Sequence, residues 1–366
     1  MRFPFMFYRY LAKNFLLTFL ATLFVLVSLI LLFDVIDLLR RASSRDYVTF
    51  WDVVRLGLFK MPQMLPLILP FSILISSIIT FLRLSKTHEL VIARSAGLSV
   101  WNILFPIIMM VSFIGIINIA LINPFSSAMI QRYQQEESET LRKKNGFSWN
   151  EQGLWLREKL GDTPLIIHAD RVQQKGNDLN LSGVLILVLN DNETLQNQIE
   201  ASNGLLSDYT LVVKNGISYA PDGTHQEGID LHIPTQLNLE KIMQTFESPE
   251  EISIWKLPKF IKLLDNAGFS SLKHRIHFYS TLSSILYLLA MVFISSMFTL
   301  SPNQRQGGTL MKSAGAILFG FMLFFVSKLT TALGVSGNLP IFLAVCGPSI
   351  IMIFISSSVL LHSEDG

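Results

Sequence analysis

The sequence predicts a polytopic α-helical membrane protein with six transmembrane helices, three on either side of an inserted, mainly β domain. Three observations predict it. Half of the 366 residues are hydrophobic and only 15% are charged, against about 25% charged in a soluble domain. Six runs of low charge are long enough to cross about 30 Å of hydrocarbon, which takes about 20 residues of helix. Between the third and fourth runs the pattern changes from helical spacing to short alternating stretches bounded by turn residues.

The first run, 15–33, follows Arg2, Arg9 and Lys13 and stops at Asp34. It is longer than a signal-peptide core of about 7–15 residues and lacks a small-x-small cleavage site, so an uncleaved helix is expected. Runs 61–82 and 100–122 carry no charge. Pro62, Pro66, Pro70 and Pro106 do not veto these helices, because neighbouring helices satisfy freed backbone groups. The second group comprises 278–300, 313–333 and 339–361, with Lys328 inside the fifth span.

The region between them opens with a polar helix over 126–144 that continues out of the membrane. Strands are expected at 154–157, 165–172, 181–189, 210–219 and 228–233. Turn signals fall at 175–178, 190–192, Asn203-Gly204, Asn215-Gly216 and Asp222-Gly223. Asn-Gly supplies the positive φ of a tight hairpin. Many short strands suggest a sandwich or open barrel. Leu257, Phe260, Ile261 and Leu264 then repeat at helical spacing, between Pro258 and Gly268. That short amphipathic helix suits either the membrane surface or its own β domain. The expected segments are 1–125, 126–272 and 273–366.

The pattern also excludes functions. A net charge of +2 gives no reason to expect a nucleic-acid binder. The single cysteine, Cys346, excludes an intrachain disulfide. No phosphate-cradling G-x-x-x-x-G-K-[ST] occurs; Gly307-Gly308 ahead of Lys312 reads as an interhelical turn. His274 and His277 read as an interfacial pair rather than metal ligands. The spans lack the buried His, Asp or Glu of an intramembrane hydrolase, so no catalytic residue, bound metal or cofactor is expected. Orientation stays open. Three Lys or Arg precede span one, three separate spans two and three, and two separate spans four and five, against five in 34–60 alone.

Particular residues then carry a resemblance. Tyr8-Arg9-Tyr10 leads to Thr22-Leu23-Phe24-Val25-Leu26-Val27-Ser28-Leu29, and Asp37-Leu38-Leu39-Arg40-Arg41 follows the span. Pro62, Pro70, Glu89-Leu90, Ala93 to Gly97 and Asn123-Pro124 come next. Glu151-Gln152-Gly153-Leu154-Trp155 and Ala169-Asp170-Arg171-Val172 lie in the β region. In this order they resemble the LptF/LptG permeases of the lipopolysaccharide exporter, and the LptG branch more than the LptF branch.

The resemblance implies a periplasmic β-jellyroll-like domain, a Gram-negative inner-membrane location and cytoplasmic termini. It implies a heterodimer with an LptF-like permease, an LptB-like ATPase dimer that binds ATP and Mg, and LptC-like and LptA-like periplasmic jellyroll proteins. It also implies a coupling helix at about 84–97, with Glu89, Arg94, Ala96 and Gly97 as ATPase-coupling candidates; a solvated loop is the alternative. Asp34, Arg40, Arg41, Lys60, Arg132 and Lys328 are lipid head-group or gate candidates, with plain interfacial anchoring as the alternative for the cations. The related LptG pattern has a lysine where Asp34 stands and an acidic residue where Lys328 stands. Lys328 is therefore expected to face the cavity or gate and hold lipid phosphate, unless it snorkels to the head groups. Asp34 is expected to meet a basic residue on the partner permease's fifth span. Two other classes compete: a membrane-anchored scaffold or sensor, and a secondary transporter, for which these spans lack midplane coupling acids.

Overall fold

The computed structural model describes residues 2–42, 49–140, 147–150, 153–160, 163–175, 178–190, 195–207, 210–220, 224–234, 248–266, 269–300 and 308–365. They form two compact units. One holds Met1–Leu141, Pro249–Leu257 and Leu272–Gly366; the other holds Arg142–Ser248 and Pro258–Ser271.

The helices run in chain order as α1 (Arg2–Ala42), α2 (Phe50–Lys86), α3 (Glu89–Ser95), α4 (Val100–Ile117) and α5 (Asn123–Thr140). There follow α6 (Leu257–Asn266), α7 (Leu272–Thr299), α8 (Thr309–Val335) and α9 (Ile341–Asp365). A π turn, Asn118–Ile122, joins α4 and α5 into one long element. Six elements are long and apolar enough to cross a membrane, in the three-plus-three order expected. All but α3 and α6 belong to them.

Several helices run past the apolar runs that announce them. At 1.5 Å per residue α1 is about 60 Å long, twice the hydrocarbon thickness. The start of α2 is fixed by a reciprocal cap: the Thr49 N–H donates to Asp52 Oδ2 (3.0 Å), and the Asp52 N–H donates to Thr49 Oγ1 (3.4 Å). Pro62, Pro66 and Pro70 lie inside α2 without ending it. Their four-residue spacing puts the lost backbone donors on one face.

Lipid tails are as apolar as leucine, so close approach rather than dehydration holds such helices together. Leu11 and Phe15 of α1, Ile73 and Phe81 of α2, Ile103 of α4 and Met291 of α7 are fully buried in one core. Small residues allow the contacts. A methyl group at Gly320 of α8 would overlap Leu74 of α2, and one at Gly115 of α4 would come within 2.8 Å of Ile285 of α7.

The second unit is a seven-stranded antiparallel meander. Its strands are β1 (Phe147–Asn150), β2 (Gly153–Leu160), β3 (Thr163–Lys175), β4 (Asp178–Leu189), β5 (Leu195–Ser207), β6 (Thr210–Tyr219) and β7 (His225–Pro234). Consecutive strands pair throughout, so the inserted domain is a single antiparallel β sheet. Strands β1 and β5 were not expected from the sequence.

Two expected turns are corrected. Asn203-Gly204 lies within β5 and Asn215-Gly216 within β6. Gly204 is buried because close packing requires it: a methyl group there would stand 3.2 Å from Val184 Cγ2. Asn215 does adopt a positive φ, +52°, but at a bulge rather than a hairpin. The centres of the turns expected at 175–178, 190–192 and 222–223 lie outside the described residues. So do residues 141–144, Glu151, Gln152, Gly268 and Gly307.

The sheet also carries a feature that simple alternation does not predict. Strict period-two alternation would leave one outward residue between successive inward ones. In β4 the buried Leu181 and Val184 have two between them, Ser182 and Gly183. In β5, Ala201 and the buried Gly204 enclose Ser202 and Asn203, and in β6, Val213 and Gly216 enclose Lys214 and Asn215. On β3, Asp170 and Arg171 stand exposed beside them. Pairing is interrupted along the same row, at Asp170 opposite Gly183, Gly183 opposite Ser202 and Ser202 opposite Asn215. A row of interrupted pairing, with no change of register, crosses four strands.

Helix α6 uses its apolar face within this unit. Leu264 and Phe269 are buried in the sheet core, with Phe260 packed against it. Of the two settings open to this helix, the structure shows the β domain.

Candidate functional site

Within the helical unit the candidate residues collect at two opposite ends. One end is marked by α3, between the end of α2 and the start of α4. The other is where α1 ends and α2 begins.

At the first, α2 continues to Lys86, so the separate helix is shorter than the expected 84–97. His88 turns the chain with φ +59°, and α3 follows for two turns. It ends as helices closed by a left-handed residue end: the Gly97 N–H donates to the Arg94 carbonyl (2.9 Å) and the Leu98 N–H to the Ala93 carbonyl (3.0 Å). Gly97 has φ +82°, which a side chain would strain. Ala96 is the last residue before that turn, its N–H donating to Ile92 O at 3.0 Å.

The charged groups of α3 bind within the chain. Glu89 Oε1 accepts from the Tyr10 hydroxyl (3.2 Å) and the Thr87 hydroxyl (2.9 Å). Arg94 Nη2 donates to the Leu300 carbonyl at the end of α7 (3.1 Å). Leu90 and Ala93 are buried in the helical core. The opposite face is apolar and open: Val91 and Ile92 are each 61% exposed. Thus α3 is tied to α1, α2 and α7 while presenting two aliphatic side chains outward.

At the second end, cations already have anions. Lys60 of α2 is ion-paired with Asp34 of α1, both side chains mostly buried. Asp37 takes Arg40 at 3.1 Å and Arg41 at 2.5 Å. Arg55 binds Glu136 of α5 at 2.7 Å and lies over the Phe59 ring. Below these pairs Leu38, Val53, Leu56, Ile130 and Tyr133 form a small apolar cluster joining α1, α2 and α5. Asp34 therefore has a base within the chain. Arg132 is exposed, without an ion-pair partner among the described residues.

Lys328 stands apart from all of these. It is exposed on α8, its ammonium 5.8 Å from the centre of the Phe324 ring. It lies about 28 Å from the start of its helix, in the half towards the α1–α2 end. Phe321, Phe325 and Leu329 are exposed around it. Among the described residues no cluster of His, Cys, Asp and Glu could hold a metal ion.

Sequence reasoning missed Tyr10, Thr87 and the Leu300 carbonyl as the anchors of α3. It also missed Asp37 and the Arg55–Glu136 pair at the other end. Charge alternation along α1 and α2 was the available signal, and it does not say which charges meet.

Comparison with known proteins gives a consistent picture. The sequence model described as "Lipopolysaccharide export system permease LptF/LptG" matches residues 9–362. Two curated proteins named lipopolysaccharide export system permease protein LptG, from Escherichia coli strains K12 and CFT073, are each 22% identical over 372 aligned residues. The alignments cover 97% of this chain and 98% of each relative.

Proposed function

The chain belongs to the LptF/LptG family of lipopolysaccharide export permeases, and from that premise we propose that it is the LptG-type subunit of an ATP-driven lipid exporter. The observation that carries the coupling part of this reading is α3. Its charged residues bind inward to three other helices, and Val91 and Ile92 are left outward. A short, firmly tied helix with an apolar outer face suits docking in the groove of an ATPase, whose closure it would pass on as rigid-body motion. ATP and Mg belong to that ATPase; this chain needs no cofactor of its own.

In this reading the termini and α3 lie in the cytoplasm, the β domain lies in the periplasm, and a second, LptF-like permease completes the lipid path. LptC-like and LptA-like jellyroll proteins accept the lipid. Paired cations at the α1–α2 end would be met by lipid phosphates, which exchange with Asp34 and Asp37 for the same ammonium and guanidinium groups. Lys328, over an aromatic ring, has like Arg132 no ion pair to give up among the described residues. We assign it to a gate facing the second permease.

Reconstitution tests the proposal. Vesicles containing this chain, the second permease and the ATPase should release lipopolysaccharide to a soluble jellyroll acceptor only with ATP. Acceptor loading that is equal with and without ATP would leave a scaffold role.

A further inference from the structure

We propose that the row of interrupted pairing across β3–β6, with the groove beside it, forms a saccharide-binding site on the exposed face of the sheet. The groove encloses about 420 Å³, within the roughly 300–1,000 Å³ usual for small-molecule sites.

The way the groove is built is specific. Neighbouring strands change phase together, with no register shift between them, and each sends two successive residues outward, which makes a row of polar groups. Asp170 and Arg171 are followed by Ser182, Ser202, Asn203 and Asn215. Gly183, with φ +66°, forms the floor. A methyl group there would collide with the Asp170 carboxylate, so a glycine keeps the carboxylate low and the groove open. Asp170 is also held from the side, its Oδ1 3.1 Å from His168 Nε2. His168 in turn stacks on Trp155 at 4.2 Å. Glu200, in register with Leu185 and Ile217 along the next row, is steadied by the Gln198 amide donating at 2.7 Å.

The chemistry selects the ligand. Asp170 and Glu200 only accept hydrogen bonds, Arg171 only donates, and the hydroxyls and amides do both. Sugar hydroxyls, each a donor and an acceptor, can use every member of such a row. The charges along it are mixed, which favours neither a polyanion nor a polycation. The absence of a metal-holding cluster among the described residues argues against a plain cation site. The Trp155–His168 pair offers an apolar wall at the β2 end of the row. This deepens the proposed function and rests on it in one respect: the lipid carried must bear a saccharide, whose chain would lie along this row.

The test uses the full chain in lipid nanodiscs. The probe is lipid-free oligosaccharide released from lipopolysaccharide by mild acid, titrated in EDTA and followed by saturation-transfer NMR. Saturable binding is expected. Ser202→Trp, which fills the groove from an exposed position, should weaken it at least tenfold. Glu200→Gln, nearly isosteric, should weaken it about threefold with unchanged thermal unfolding. No saturable binding by the unaltered chain, or equal binding by both variants, would overturn the site. So would binding that appears only when calcium replaces EDTA. ATP-dependent lipid release measured on the same chain separates the two claims. Release without oligosaccharide binding sinks this inference alone; binding without release sinks the exporter reading and leaves the site.

Discussion

At the α3 end, Glu89 and Arg94 are held by a hydroxyl pair and a helix-end carbonyl, and Val91 and Ile92 stand exposed. At the α1–α2 end the order is reversed. Apolar residues lie beneath, while Asp37, Arg40, Arg41, Arg55 and Glu136 stand above them in ion pairs. The first arrangement suits a protein surface, because an apolar outer face gains by being covered and the charges behind it hold it still. The second suits a charged small ligand, because surface ion pairs are worth only about 0–1 kcal/mol each and exchange readily. The two ends of one helical unit thus differ in what they expose.

The largest effect should come from reversing the character of the α3 face. Ile92→Asp puts a charge into the proposed contact and should cost about 2 kcal/mol, roughly 30-fold in ATPase affinity. Co-purification of the ATPase measures it, and an unchanged yield would remove the docking role. Next is Asp34→Ala, which strands the ammonium of Lys60. Breaking a buried pair costs about 3–5 kcal/mol, and the partial exposure of both groups brings this to roughly 2 kcal/mol. Thermal unfolding in detergent should show it, and the exchange Asp34→Lys with Lys60→Asp should restore most of it. Arg40→Ala, by contrast, removes a side chain that is 80% exposed and should barely move the same midpoint.

Smaller again is Arg94→Ala, which removes one charge-assisted bond to Leu300, worth about 1.5 kcal/mol. Turnover should fall about tenfold while ATPase binding persists; equal turnover would mean that the tie to α7 is not part of coupling. Smallest is Lys328→Gln. It should lower lipid-stimulated turnover about threefold, the scale of one partly exposed charge, and Lys328→Arg should keep it. Equal turnover for Gln and wild type would leave Lys328 as an anchor at the head groups.

What could be read from the sequence follows the same physical divide. The membrane spans were legible because hydrocarbon demands long uncharged helices, and 61–82 or 100–122 can satisfy little else. Their ends were not, because α1 and α2 extend well beyond the apolar run on the strength of local caps and tertiary packing. Strand β5 was missed for a different reason. Its sequence, Leu195–Ser207, is polar and contains Asn203-Gly204, a hairpin signature by local propensity. In the folded sheet that glycine answers to close packing on Val184, so tertiary contact overrode the local rule. The pairing of Asp34 with Lys60 was equally hidden. Residues on two helices share a level only once the length of the connecting turn is known, and period alone does not give it.

The difference between the two ends can be measured directly with a photo-crosslinking residue placed at Ile92 or, in a second variant, at Trp51, which is 75% exposed near the start of α2. Each chain would be isolated from its own membrane after illumination and its adducts identified by mass. An ATPase adduct is expected at position 92 and none at position 51. An ATPase adduct at 51, with position 92 bare, would contradict it.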